Sequence, residues 1–470
     1  MFQPSVAILR GPLTHFALLE ESLTQGDGGL HDFITLDCIT IAAAWKIRNL
    51  DWRSIGEQEH WFSETVLLRV RRSKLALVLH ASRRPEKGGS WIAFRLNHIK
   101  GQAPTIDARE QVFASYISLG GVDVPVHKFI LTGLRHVGVQ LRKLSFLVGL
   151  RGRKAEIKAT LELAAAGASE ARNLVVYDVG QGSAVGLVDA VGHPCLFFDL
   201  GWPTSFNAKS RPLDPPNLFV GDACAHCTVR KAPVILSHWD FDHWAYAVAN
   251  DNYNFGKKAS TMTLKPAAVD RIWIVPRPPA LKKNGKGLGP THLRLLSSLK
   301  QRIVWPNALK SVRFGAGVIT RTDPAVLPDD RNNQSLVWFV MRRSEPRRAV
   351  LLAGDVSYPK ARWPLPKPNL HGLVASHHGA DVTDPPKRSG AFAKLAISVG
   401  DPNVYGHPRL LGLLEHAAAG WGQGKCTYTR TVWPPASPMK TGAVLLTLDA
   451  SAPTTFSCSC LIPGNMGTTQ

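Results

Sequence analysis

From residue 174 onward, short apolar segments recur, and each ends in a polar, titratable side chain. LVVY (174–177) leads into Asp178, and CLFF (195–198) leads into Asp199. Apolar runs bounded by glycine-rich turns predict buried strands. Strand exits are also where α/β sheets gather their ligands. The pattern therefore predicts an α/β sheet protein with its functional side chains along one edge.

The densest of these exits is SHWDFDHW (237–244), which follows the apolar segment APVIL (232–236). Its ligand-type side chains, two histidines and two aspartates, are His238, Asp240, Asp242 and His243. A solvated polar loop seldom concentrates so many such groups. Mixed imidazole and carboxylate donors suit both zinc and manganese, so the native metal stays open between them.

Later strand exits offer further donors. AVLL (349–352) leads to Asp355, and a second apolar run leads to the pair His377 and His378. His407 follows in a Tyr-Gly-His-Pro turn, where imidazole could bind metal or protonate a leaving oxygen near neutral pH. Two metal ions about 3.5–4 Å apart stabilise both oxygens of a displacement. The combined set predicts a hydrolase.

The donors divide naturally between two divalent ions. We expect His238 and Asp240 to hold one ion. Asp242 and His243 would hold the other, and Asp355 would bridge them. The aspartates at the two earlier exits remain available to orient the imidazoles from outside.

Seven blocks in a fixed order resemble the metallo-β-lactamase superfamily, and within it the domain of ComEC competence proteins and their stand-alone relatives. The blocks are DVGQG (178–182), FFDLG (197–201), SHWDFDH (237–243), NNQSLV (332–337), LLAGD (351–355), SHHG (376–379) and NVYGHP (403–408). The resemblance covers residues from about 172 to 450. It implies an α/β fold of the αββα sandwich type and a nuclease or phosphodiesterase that uses two divalent metal ions.

Residue by residue, the resemblance implies metal ligands, catalytic groups and a loop near the substrate. The implied metal ligands are His238, Asp240, Asp242, His243, Asp355 and His377, with His377 preferred over His378. Asp242 and His407 take the catalytic assignments. Asn333 and Ser335 of the NNQSLV block are expected to contact substrate or to stabilise the structure. The chain departs from the family pattern at Ser183 and at the bulky residues 244–246.

A length of 470 residues predicts two domains. We place an N-terminal α+β domain of unknown role at residues 1–170 and the hydrolase domain at residues 171–470. An alanine-rich segment (155–172) is typical of a helix and linker between them. The hydrolase domain would carry a basic insertion near residues 251–310.

The formal net charge of +21 favours polyanionic partners, with nucleic acid first among them. In the insertion, Lys282, Lys283 and Lys286 are expected to guide a phosphate backbone, because basic side chains gain affinity by releasing counterions. Generic solubilising charge is the alternative. The seven cysteines fit a reducing compartment. Since neither a membrane helix nor a secretion signal is evident, we expect a cytoplasmic protein without membrane contact.

The sequence thus predicts a metal-dependent nuclease or phosphodiesterase acting on nucleic acid, in DNA processing or anti-phage defence by analogy only. Two alternatives stay open. One is a small-molecule hydrolase of the same fold that cleaves a phosphoester, lactone or thioester. The other is a non-enzymatic scaffold that docks a protein partner through the N-terminal domain, which the aromatic side chains of Trp239, Phe241 and Trp244 beside the ligands would favour.

Overall fold

The structure is a computed structural model in which two compact units can be distinguished. The described residues are 12–20, 32–55, 61–81, 91–99, 111–120, 127–137, 141–219, 222, 231–278, 287–322, 331–390, 393–422, 424–427 and 442–448. The barrel unit comprises residues 1–150, 248–264 and 280–298. The two-sheet unit comprises residues 151–247, 265–279 and 299–470.

The helices of the described chain are mostly short. They are α1 (Ile41–Ile47), α2 (Arg72–Ala81), α3 (Arg142–Ser145), α4 (Lys154–Gly167), α5 (Pro266–Val269), α6 (Pro290–Ser298) and α7 (Leu410–Ala418). Thr40 begins α1 as its cap, because its hydroxyl oxygen accepts a hydrogen bond from the Ala43 amide at 3.2 Å. Among the described residues, no helix has both the length and the apolar character needed to cross a membrane.

The barrel unit is built on six antiparallel strands that close in the order β1-β2-β3-β5-β6-β4. They are β1 (His15–Leu19), β2 (Phe33–Thr40), β3 (Thr65–Arg71), β4 (Trp91–His98), β5 (Val112–Ile117) and β6 (Lys128–His136). The barrel closes because β1 pairs with both β2 and β4. Side chains alternate along each strand. The inward set, which includes Ile34, Leu68 and Phe94, forms an apolar core.

The remaining strands alternate between the two units. In chain order they are β7 (Leu174–Val176), β8 (Ala184–Val188), β9 (Pro194–Leu200), β10 (Val234–Ile235), β11 (Val248–Asn250), β12 (Tyr253–Asn254), β13 (Ala259–Ser260), β14 (Thr263–Leu264), β15 (Ile272–Pro276), β16 (Gln301–Trp305), β17 (Ser311–Phe314), β18 (Gly317–Arg321), β19 (Leu336–Val340), β20 (Arg348–Leu352), β21 (Asn369–Val374), β22 (Lys394–Ile397), β23 (Gly424–Cys426) and β24 (Val444–Leu446). The pairs β11 with β14 and β12 with β13 belong to the barrel unit.

The two-sheet unit contains two mixed sheets of seven strands each. The first has the order β16-β15-β10-β9-β8-β7-β24, and the second runs from β17 to β23 in chain order. Phe198 and Ile235 of the first sheet share an apolar core with Trp338 and Leu352 of the second. The sheets therefore pack face to face. On the other face of the second sheet, Leu413 of α7 joins a separate core.

The observed division of the chain differs from the predicted domains. It falls at residue 150 rather than near 170, because Ile157 and Leu161 of α4 pack in the core that the two sheets share. Much of the predicted insertion (251–310) is assigned to the barrel unit rather than to the hydrolase domain. The N-terminal region, which we expected to be α+β, forms a closed barrel with helices beside it.

Two pairs of parallel strands position the site. β9 and β10 are neighbours in the first sheet, and β20 and β21 are neighbours in the second. Neighbouring parallel strands end at the same edge of a sheet, and α/β sheets use that edge for ligands. Asp199, His238, Asp355 and His377 all lie at or just beyond these strand ends.

Candidate metal centre

A cluster of imidazole and carboxylate groups lies at the ends of β9, β10, β20 and β21. Two overlapping sets of side chains have donor atoms within 4.8 Å of one another. His238, His243 and Asp355 form the first set, and Asp242, His243 and His378 form the second. The structure thus brings together residues more than a hundred positions apart in the chain.

The loop that carries HWDFDH is held by its backbone and by its aromatic rings. The Asp242 carbonyl accepts a hydrogen bond from the Ser183 amide at 3.0 Å. It also lies only 1.9 Å from where a Cβ on Gly201 would be, so only glycine fits there. Trp239 is buried and donates its Nε1 proton to the Pro276 carbonyl at 2.7 Å, at the end of β15. The bulky residues beside the ligands, Trp244 included, are buried as packing for this loop.

Three buried imidazoles are fixed through Nδ1 and leave Nε2 facing the cluster. The Nδ1 partners are Asp199 Oδ2 for His243 (2.8 Å), Ser237 Oγ for His238 (2.9 Å) and the Ser398 carbonyl for His378 (2.7 Å). Their Nε2 atoms are buried and make no hydrogen bond. When Nδ1 donates its proton outward, the Nε2 lone pair is free to bind a cation.

The Nε2 atoms face carboxylate oxygens at distances beyond an ordinary hydrogen bond or without its geometry. His243 Nε2 lies 3.2 Å from Asp355 Oδ1, and His378 Nε2 lies 3.3 Å from Asp242 Oδ2. His238 Nε2 lies 3.6 Å from Asp355 Oδ2. Donor atoms that face one another in this way, all lone-pair bearing once deprotonated, fit a divalent cation between them.

Charge in the cluster shifts pKa values in opposite directions. Burial works to lower the pKa of His243, but the Asp355 and Asp199 carboxylates outweigh it and raise that pKa well above its usual value. Burial works to raise the pKa of Asp355, but the neighbouring histidines, His243 first, hold it well below its usual value. Asp355 is therefore kept ionised, which is the state that binds metal.

The pair His377 and His378 lies in a strained turn. Both residues adopt left-handed backbone angles, with φ of +51° and +55°. Such angles cost roughly 1–3 kcal/mol each in a non-glycine residue and cluster at functional sites. His378 is buried in the second set, whereas His377 is 40% exposed with Nε2 3.6 Å from Asp355 Oδ2. The geometry favours His378 as the inner ligand, the reverse of the predicted preference.

Asp240 and His407 complete the predicted residues near the cluster. Asp240 Oδ2 lies 3.4 Å from His238 Nε2, and Asp240 Oδ1 lies 3.8 Å from Arg331. His407 is buried, and its Nδ1 has no hydrogen-bond partner. Burial, together with His377 and His378, lowers the pKa of His407 to about 2. An imidazole with so low a pKa carries no extra proton near neutral pH, so the structure favours the metal-ligand role over the general acid.

The residues predicted to contact substrate are not gathered at the cluster. Asn333 Oδ1 accepts a hydrogen bond from the Ser357 amide at 2.9 Å. Ser335 is buried and donates its hydroxyl proton to the Asn332 carbonyl at 2.5 Å. Both residues therefore stabilise loops next to the site, the second of the two roles expected for them. Lys282, Lys283 and Lys286 lie outside the described residues.

Sequence reasoning missed two polar groups that fix ligands. Ser237 contributes its hydroxyl to His238, and Ser398 contributes its carbonyl to His378. Both follow directly on strand exits, after β10 and β22. The strand-exit pattern could have indicated them, although serine alone carries no metal-ligand signal.

Comparison of this chain with protein-family models, with curated proteins and with solved structures found no match. The superfamily resemblance therefore rests on the seven sequence blocks and stays a prediction.

Proposed function

We propose that this protein is a cytoplasmic, metal-dependent phosphodiesterase that cleaves nucleic acid, with the metallo-β-lactamase type of sandwich and ComEC-like sequence blocks. One observation carries the proposal. Imidazole nitrogens of His238, His243, His378 and His407 are buried at the cluster without hydrogen-bond partners. Buried polar atoms nearly always have a partner in native proteins. A bound cation would provide it.

The donor set fits two divalent ions. A catalytic zinc site commonly takes three protein ligands, so two ions need about six. The cluster offers that number: His238, Asp240, Asp242, His243, Asp355 and His378. Three carboxylates make the set hard enough for manganese as well as zinc.

The chain's own groups have distinct tasks in this proposal. When bound, the two ions stabilise the attacking and leaving oxygens of the displacement and lower the pKa of a water molecule. Asp199 holds His243 in the tautomer that presents Nε2 inward. His377 and Asp240, which are partly exposed, border the open side where a substrate approaches. His407 is buried and neutral, and its Nδ1, which has no hydrogen-bond partner, is suited to bind an ion there.

Charge supports nucleic acid as the substrate. The formal net charge is +21, and Arg331 lies next to Asp240 on the open side of the cluster. Excess basic charge raises the encounter rate with polyanions. Trp239 and Trp244, two of the three aromatic residues that would have favoured a scaffold, are buried beside the ligand loop, and the third, Phe241, is half-buried.

The test is a cleavage assay with the full chain. Labelled single- and double-stranded DNA and RNA are incubated with Mn²⁺ or Zn²⁺, beside an Asp242→Ala/His243→Ala variant and an Asp214→Ala control on the surface. Cleavage by the wild type and the control, but not by the double variant, is expected. Hydrolysis of a small phosphodiester without cleavage of any nucleic acid would support the small-molecule alternative. Metal binding without any hydrolysis would support the scaffold.

A further inference from the structure

An open groove of about 680 Å³ lies on the outer wall of the barrel unit. The side chains that give it its character are Arg69, Arg71, Lys74, Lys128, Phe33 and Phe113. The barrel lies outside the region of superfamily resemblance, and none of these residues belongs to the metal cluster. The groove combines several cations with two aromatic rings.

Strand pairing aligns the basic side chains into a row. Leu68 and Val70 point into the barrel core, so Arg69 and Arg71 between and beyond them point outward. Arg69 lies opposite Ser115 of β5, which in turn lies opposite Lys128 of β6. The row runs from β3 across β5 to β6, a width of roughly 10 Å at about 4.8 Å per strand.

The aromatic rings of the groove are open to solvent. Phe33 is 41% exposed and Phe113 is 52% exposed. The guanidinium carbons of Arg69 and Arg71 lie 4.6 and 5.7 Å from the centre of the Phe33 ring. Exposed rings flanked by cations are the combination on which unpaired bases stack while their phosphates are neutralised.

The charge of the groove is one-sided. The described residues that line it include no acidic side chain. Asp32, a described carboxylate beside Ser73 of the lining, accepts hydrogen bonds from the Ser73 amide (2.9 Å) and hydroxyl (2.7 Å) at the start of α2. Asp32 thus caps a helix. A polyanion entering the groove meets positive charge.

We propose that this groove binds single-stranded nucleic acid, with Arg69, Arg71, Lys74 and Lys128 on the phosphates and Phe33 and Phe113 against the bases. The bases of a duplex are stacked inside it and are not available to stack on the two phenylalanine rings. An acidic peptide would use the cations and leave the rings without a role. The binding requires no metal and goes beyond the proposed hydrolysis, so the two can be tested apart.

The experiment measures binding of a fluorescently labelled single-stranded oligonucleotide to the full chain in EDTA across a salt series. For single strands, the slope of log affinity against log salt changes by about 0.7 for each phosphate contact. Arg69→Gln/Arg71→Gln is expected to make the slope shallower by about 1.4. Phe113→Ala is expected to weaken binding roughly tenfold, and Phe113→Trp to retain it. Lys257→Gln, which changes an exposed lysine of the same unit that does not line the groove, serves as the control.

The variants separate this proposal from the metal chemistry. Asp355→Ala should bind the oligonucleotide like the wild type, and the groove variants should still hydrolyse a small phosphodiester. An unchanged salt slope in the double arginine variant would refute the groove. The groove would also be refuted as a single-strand site if the double arginine variant lost duplex and single-strand binding equally and Phe113→Ala had no effect on binding. Competition by polyglutamate as strong as that by unlabelled oligonucleotide would assign the groove to an acidic protein instead.

Discussion

His15 of the barrel unit has electrostatic surroundings opposite to those of His243 and His378 of the two-sheet unit. In the barrel unit, His15 is fully buried and its Nε2 bonds to the Lys258 carbonyl at 2.9 Å. Burial lowers its pKa from 6.5 to about 4. In the two-sheet unit, burial also works against the charged forms of His243 and His378, but facing carboxylates raise their pKa values. Burial therefore lowers the pKa of His15, whereas facing carboxylates outweigh burial at His243 and His378, the two candidate metal ligands.

The largest expected effect tests the metal side of this contrast. Asp355→Ala removes a carboxylate of the first donor set. We expect hydrolysis to fall by at least about 10²-fold, the usual cost of losing one preorganised charged group. Metal content measured by mass spectrometry should fall with it. Asp214→Ala, which removes an exposed carboxylate of the same unit, should change neither quantity. Full metal content and activity in Asp355→Ala would contradict the assignment of Asp355 as a metal ligand.

The barrel side predicts a loss of stability in acid. Between pH 6.5 and about 4, an unfolded His15 takes up a proton that the folded His15 does not. The free energy of unfolding of the barrel unit should therefore fall by about 3 kcal/mol as the pH drops through that window. Hydrogen exchange of β1 and β2 during urea titrations would measure it. His15→Asn should flatten this pH dependence, and an equal dependence in the variant would assign it to other groups.

The orienting carboxylate should matter less than the ligands. Asp199→Asn keeps the shape of the side chain but weakens the acceptor for His243 Nδ1. Loss of such a partner typically costs 10- to 100-fold in metal affinity or activity. Titration with a competing chelator would show the change. Affinity equal to that of the wild type would mean that Asp199 only supports the fold through Ser237.

The smallest effect concerns the aromatic ring beside the ligands. Trp239→Phe removes the hydrogen bond to the Pro276 carbonyl and should lower the free energy of unfolding by about 1 kcal/mol. Metal binding should be nearly unchanged, because the ring holds the loop and provides no metal-ligand atom. Trp45→Phe, at an exposed position of the barrel unit, is the control. A large loss of metal with normal stability would contradict this assignment.

Much of the candidate site could be predicted because its signals are local. HWDFDH is contiguous, and Asp355 follows the apolar strand β20 after a short turn that contains Gly354. Which of His377 and His378 is the inner candidate ligand could not be predicted. The two histidines are consecutive after the same strand, and which of them faces the cluster depends on the left-handed backbone angles of both residues. Sequence patterns do not fix such strained angles.

The barrel and its groove were beyond sequence reasoning for a different reason. Closure of the barrel depends on the pairing of β1 with β4, and no sequence pattern indicates that these two strands pair. Arg69 and Lys128 become neighbours only through the register of β3, β5 and β6. A basic residue on a strand is typical of any solvated face. Such residues indicate a binding site only when the pairing of distant strands places several of them side by side.

The closed barrel also limits how the groove can choose its partners. All six strands pair on both sides, so their main-chain donors and acceptors are used internally. A partner therefore cannot bind to this wall by strand addition, in which backbone pairing fixes the register of an incoming chain. Ring stacking and charge neutralisation do not distinguish one base from another. We therefore expect the groove to be tolerant of base order, holding many strands with similar strength and letting them slide.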